Sequence, residues 1–414
     1  MRRTFTRKDS SGFTLVELLV VITIIGVIAG LAIPAIGAVR KRVIKAAMSA
    51  ELNVIEQGFD AYKTKYGDYP PDFSDWSIVR RHYLKIFPDI AQSELTLLLL
   101  LCDDEPDNDP STPSQAASVA NFQPFVLDRA EAVVWSLGGF SADPQFPFTG
   151  EGGPLEFLEQ IDINGTLTSG DRSNPSHYQY RVVRNAPFAD FDTGQLTFNP
   201  IAATNGIPAY LSGVFDRNVS ADEPAGILGP LPAVFQTPDI FPAYVLRRDQ
   251  HPVVYFDSRT YAFNYVDSGA SVFNAYVDYE NGVDLTSITT DDLDGVRPVY
   301  STQPNQPPAG GIVGLGGSAA SWQFANPTTF QLFAPGLDGD YGVLLDTDGG
   351  APSNSAPAYF QTDGSMLALV AGGPATQVGG ISRFDITAFV RDASNKFGDN
   401  LSNVVEGAFE DQVD

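Results

Sequence analysis

The sequence predicts an α+β protein: a long N-terminal helix, half membrane and half amphipathic, packed against an enlarged, mainly antiparallel β head with short helices. Three observations predict it. Residues 13–39 are predominantly apolar and carry a single charge, Glu17. Apolar residues then recur at helical spacing as far as Tyr66. Beyond residue 155 the pattern changes to short β-branched and aromatic runs separated by Gly, Pro, Asn and Asp. With 414 residues, 43% of them hydrophobic, the chain can bury one large core or two smaller ones.

Charge is unevenly placed. Residues 1–45 hold eight Lys or Arg against Asp9 and Glu17, and the rest holds 17 basic and 48 acidic residues. A body this acidic repels phosphate backbones, which excludes nucleic acid as a partner and favours cations. Cys102 is the sole cysteine, so no intrachain disulfide forms.

The first element is the apolar run. About 20 apolar residues in a helix cross the hydrocarbon layer, so 13–39 can span. Arg2, Arg3, Arg7 and Lys8 precede it and Arg40, Lys41, Arg42 and Lys45 follow, so basic flanks alone do not orient it. The acidic, loop-rich remainder reads as an exported body, which leaves the leader in the cytoplasm. A cleaved signal peptide has a shorter apolar core followed by a small-residue site, whereas here Gly12 precedes the run. Glu17 would cost roughly 2.5–3.5 kcal/mol at the centre of a span and less near an interface, so it calls for a partner. Cutting between Gly12 and Phe13 would place a new amino group one helical turn before Glu17, within reach of it or of a neighbouring subunit's Glu17.

The glycine-ended basic leader, the F-T-L-V-E-L that follows and the long apolar stretch with Gly26 and Pro34 resemble the class III signal of type IV pilins and type II secretion pseudopilins. The resemblance implies that a prepilin peptidase cuts after Gly12 and that Phe13 is then methylated. It also implies that Glu17 helps set axial register as subunits pack into a filament. Pro34 orphans the Gly30 carbonyl, so the helix bends or loosens there. Related filaments extend this segment on assembly, which Gly26, Gly30 and Pro34 would permit; a static kink is the alternative. The implied partners are further copies through the N-terminal helix, the peptidase, the inner-membrane assembly platform, other pseudopilins and the membrane.

Ile44, Met48, Leu52, Ile55, Phe59, Tyr62 and Tyr66 recur at spacings of three and four, so the helix continues until Gly67 and the Pro70-Pro71 pair stop it. The Y-x-x-x-x-G-x-Y-P turn from Tyr62 to Pro70 resembles the pseudopilin exit from this helix. The organisation expected is a leader over 1–12, a transmembrane and assembly helix over 13–39, an amphipathic continuation over 40–67 and a periplasmic head over 68–414. In the head, 93–102 and 127–139 read as short helices, the second with Asp128 as N-cap and Gly138 as stop. The loops 102–118 and 301–321 have nothing to bury. Strands are expected in HYQYRVVR, HPVVYF, TYAFNYVD, SVFNAYVD, TTFQLFA and SMLALVA.

TFQLFAPGLDGDYG and FGDNLSNV resemble the pseudopilin pieces between which calcium binds. By that resemblance Asp338, Asp340 and Asp399 supply carboxylates, with the Leu337 and Leu401 carbonyls nearby. Some fifty residues separate the two pieces here, and Asn400 replaces the second acid. Asp338-Gly339 also suits an ion-free hairpin turn. His82, His177 and His251 lack metal-ligand spacing, and no nucleophile elbow, phosphate loop or dinucleotide fingerprint is present. Asp103-Asp104 and Asp291-Asp292 read as solvated loop charge. The expected role is therefore structural, not enzymatic: a subunit of a type II secretion pseudopilus. The alternatives are a type IV pilin and a membrane-anchored periplasmic enzyme or carbohydrate-binding protein.

Overall fold

The computed structural model describes residues 14–102, 127, 129–157, 160–161, 167–168, 172, 178–197, 241–247, 251–261, 264–267, 271–274, 298–299, 301, 324–339, 341, 358–360, 362, 366–370, 380–384 and 397–412. The expected loop stretches 103–118 and 302–321 and the Asp128 cap lie outside these residues, as do the leader and Phe13. The chain divides into two units, residues 1–47 and 48–414.

The first helix, α1, runs Leu15–Tyr66 with Pro34 inside it, in accord with the apolar run and the 3–4 spacing that follows. It ends where the turn chemistry requires. Gly67 takes φ +79° and donates its N–H to the Lys63 carbonyl, a C-terminal position that favours glycine. In the second unit the inward series is Met48, Leu52, Ile55, Phe59 and Tyr62, each at most 3% exposed. Phe59 stacks on Tyr255 at 4.4 Å between ring centroids and meets Phe330 at 5.0 Å. Gly58 permits the close approach: a Cβ there would lie 3.2 Å from Leu137 Cδ1.

Three short helices follow. α2, Trp76–Ile86, is capped by Asp75, whose carboxylate accepts from Ile78 N, and was not among the expected elements. α3, Gln92–Leu100, and α4, Glu131–Leu137, fall within or beside the stretches expected to be helical. α4 is shorter than expected because the chain turns at 129–130, and Gly138 closes it.

Among the described residues the strands pair only antiparallel. β1 (Leu155–Phe157) pairs with β4 (Tyr178–Tyr180), and β2 (Gln160–Ile161) with β3 (Leu167–Thr168). β5 (Val254–Asp257), β8 (Phe330–Ala334) and β12 (Leu401–Ser402) form a sheet in the order β12-β8-β5, with Val254 opposite Phe333 and Leu401 opposite Ala334. β6 (Asn264–Asp267) and β7 (Ser271–Asn274) form a hairpin pair. β9 (Ala358–Phe360), β10 (Met366–Val370) and β11 (Gly380–Phe384) form a second three-stranded sheet in the order β11-β10-β9. A single helical turn, Ser258–Tyr261, follows β5. The β5-β8-β12 sheet receives α1 through Phe59, and α2, α4 and the 140–148 loop close an aromatic core around fully buried Trp135, Tyr83 and Phe148. Burying each such ring stabilises the fold by roughly 1.5–3 kcal/mol.

Candidate functional site

The N-terminal end of α1 answers the question that Glu17 raises. Thr14 N and Thr14 Oγ1 both donate to Glu17 Oε2, at 2.8 and 2.7 Å, and Glu17 N donates back to Thr14 Oγ1 at 3.2 Å. This is a reciprocal capping box, T-x-x-E, at a helix start where backbone donors lack intrahelical partners and the dipole favours negative charge. The acid therefore has a local partner within its own chain. Gly12 and Phe13 lie outside the described residues. Gly26, Gly30 and Pro34 are spread along the exposed helix, and a Cβ on either glycine would meet nothing within 4 Å of the isolated chain.

The helix has a second apolar series past the length a bilayer needs. Val43 and Ala47 in the first unit, and Ala50, Val54 and Ala61 in the second, are all exposed, Val43 at 62% and Val54 at 54%. Their spacing of three, four and seven keeps to one helical stripe, offset from the inward series.

The turn after α1 is fastened by a charged cluster that no spacing announces. Asp72, 1% exposed, accepts from Ser74 N and Oγ through Oδ1, and from Thr260 Oγ1 (2.7 Å), Asp257 N (3.2 Å) and Arg129 Nε (3.3 Å) through Oδ2. Asp257 pairs with Arg259 Nε at 2.6 Å, and Arg259 reaches on to Asp68 and the Tyr69 carbonyl. Burial pushes the Asp257 carboxyl up to about 7; Arg259 opposes this and the Asp72 carboxylate adds to it. Between Asp72 and Ser74, Phe73 is held at φ +64° with its ring fully buried, a strained conformation for a bulky residue, worth about 1–3 kcal/mol. Its carbonyl accepts from Cys102 Sγ at 2.9 Å, so the lone thiol is a buried structural group.

The two C-terminal pieces do come together. Asp399 Oδ2 accepts from Leu337 N at 2.7 Å, and a Cβ on Gly336 would fall 2.1 Å from Asp399 Cγ, so only glycine fits there. Asn400, fully buried, accepts from Gly336 N at 3.2 Å and donates to the Tyr341 carbonyl at 2.9 Å. A carboxylate and a carboxamide thus staple 336–341 to 399–400. Asp338 is exposed on the same turn, Leu401 is paired into the sheet with Ala334, and Asp340 lies outside the described residues. Calcium takes six to eight oxygens, so the described donors are a partial set. Among the described residues no three carboxylate, imidazole or thiol side chains gather as metal ligands.

His82 is buried with Nε2 2.8 Å from the Tyr62 hydroxyl, and burial first, then nearby Arg259, pushes its pKa down to about 3. It is a core group held neutral. His251 is exposed and donates its backbone N–H to Gly339 O, and His177 lies outside the described residues.

Comparison with known families matches residues 7–33 to the prokaryotic N-terminal methylation motif. No curated protein and no solved structure matches the chain. The matched segment contains Gly12, Phe13, the Thr14–Glu17 box, Gly26 and Gly30. The motif supports a type IV pilin-like chain with an N-terminal apolar helix, without separating pilin from pseudopilin.

Proposed function

We propose that this chain is a structural filament subunit. Residues 13–39 hold it in the inner membrane, prepilin peptidase cuts after Gly12, Phe13 is methylated, and α1 polymerises into a periplasmic pseudopilus of a type II secretion system, with 68–414 as the periplasmic head. One observation carries the assembly step: the exposed series Val43, Ala47, Ala50, Val54 and Ala61 continues the apolar character of α1 beyond the span. A membrane anchor has no use for it, whereas helices packing side by side bury it. Glu17 enters this packing already capped by Thr14, with bonds to Oε2, and meets a neighbour's amine in the register that pairs the charges. The Tyr-Pro turn and the joined 336–341 and 399–400 segments support a secretion pseudopilin over a type IV pilin. The partners are further copies, the peptidase, the assembly platform and other pseudopilins.

The test is expression in cells with and without prepilin peptidase, followed by electron microscopy of sheared fractions. Filaments that contain the chain and vanish without the peptidase support the reading; a chain that stays monomeric in the membrane in both strains contradicts it. Calcium at Asp338 and Asp399 is part of the proposal and is tested separately. Chelator should lower the melting temperature of the purified chain, and an unchanged melt removes the ion.

A further inference from the structure

The apolar run of α1 is followed at once by Arg40, Lys41 and Arg42, with Lys45 one turn on. The first three are exposed, and among the described residues none of them makes a hydrogen bond or ion pair. No carboxylate lies three or four positions to either side along the helix, and Lys41 and Lys45 are like charges at an i, i+4 spacing, which repels. Among the described residues no carboxylate is paired with Arg40, Lys41 or Arg42.

The helix rises about 1.5 Å per residue, so Arg40 stands about 38 Å along α1 from Leu15, close to the thickness of a bilayer with its headgroup layers. This placement rests on the spanning reading of 13–39 given under Proposed function. With the leader cytoplasmic, these cations cross the membrane against the preference for Lys and Arg on the inner side, so they are kept at a cost. Carboxylates of a second copy are the other anion source. The acids on the next turns of α1 are already engaged: Glu51 by Gln195 and Tyr244, Glu56 by Asn403 and Asp60 by Tyr69. We propose that Arg40, Lys41 and Arg42 form a collar that binds anionic phospholipid headgroups in the leaflet facing the head. The two guanidinium forks suit phosphate oxygens and the ammonium adds a point charge.

The test reconstitutes the full chain in vesicles of phosphatidylcholine and phosphatidylglycerol at four to one. Spin-labelled forms of the two lipids then report their relative association with the protein. Each cation near an anionic surface is worth about fivefold, so the wild type should favour phosphatidylglycerol by about fivefold or more, and R40Q/K41Q/R42Q should lose most of that preference. The leader cations are the same in both proteins, so the difference reads the collar alone. Equal preference in wild type and variant overturns the proposal. A variant that keeps the lipid preference but fails to assemble also overturns it and assigns the cations to carboxylates of a second copy. Extraction with alkaline carbonate is read in parallel; a wild-type chain that leaves the bilayer overturns the spanning reading itself.

Discussion

Asp257 offers a quantitative test of the cluster that fastens the turn after α1. The carboxyl is 1% exposed and faces Arg259, on the helical turn that follows its strand, and nearby Asp72, whose own carboxylate is engaged by Thr260 and Arg129. Its ordinary value is 3.8 and burial raises it to about 7. Between those pH values the folded chain holds a proton that the unfolded chain releases, so this group's contribution is fully present below about 3.8 and is lost as pH rises through about 7. At about 1.36 kcal/mol per pH unit the interval is worth of order 4 kcal/mol. His82 acts with the opposite sign, since its folded value near 3 means stability lost as pH falls below 6.5. A wild-type pH curve therefore mixes the two, and D257N separates them. Urea unfolding of the full chain in detergent, followed by fluorescence of buried Trp135, should be compared for wild type and D257N from pH 4 to 8. The wild-type advantage over D257N should shrink with rising pH across 4–7. An advantage that is flat, or that grows with pH, would mean that the Arg259 pair outweighs burial and would refute the argument.

V54K should leave the unfolding transition of the chain within about 0.5 kcal/mol, because Val54 is 54% exposed, yet should abolish recovery of the chain in filaments. Normal filaments from V54K would remove the outward stripe from the account. G336A should destabilise the chain by about 1–3 kcal/mol, since the new methyl would lie 2.1 Å from Asp399 Cγ; an unchanged denaturation midpoint would show that the staple yields without cost.

The helix was legible because a 3–4 apolar rhythm, a glycine with positive φ and a Pro-Pro pair all carry their physics locally, and α1 ends at Tyr66 as they require. The strands around 254–257 and 330–334 were legible for the same reason: dense β-branched and aromatic runs between turn formers. α2 is not legible because its buried face is short and carries an imidazole, His82, beside Ile78, Val79 and Tyr83, although Asp75 three residues before Ile78 is a readable N-cap. The Asp72 cluster was invisible: its partners lie 57 residues away at Arg129 and 185 at Asp257, and only folding brings them together. The Thr14–Glu17 box is legible in T-x-x-E, a pattern with a local mechanism, although an acid in an apolar run calls equally for a partner on another subunit. The joining of 336–341 to 399–400 followed the resemblance, whereas the stapling by Asn400 did not.

The central claim is that the chain is processed and polymerised through its N-terminal helix. Intact mass and N-terminal sequencing of protein taken from native membranes test it most directly. The account predicts a chain that begins at N-methylated Phe13. A mature chain that retains Met1 to Gly12, or that begins beyond the apolar run, would contradict it.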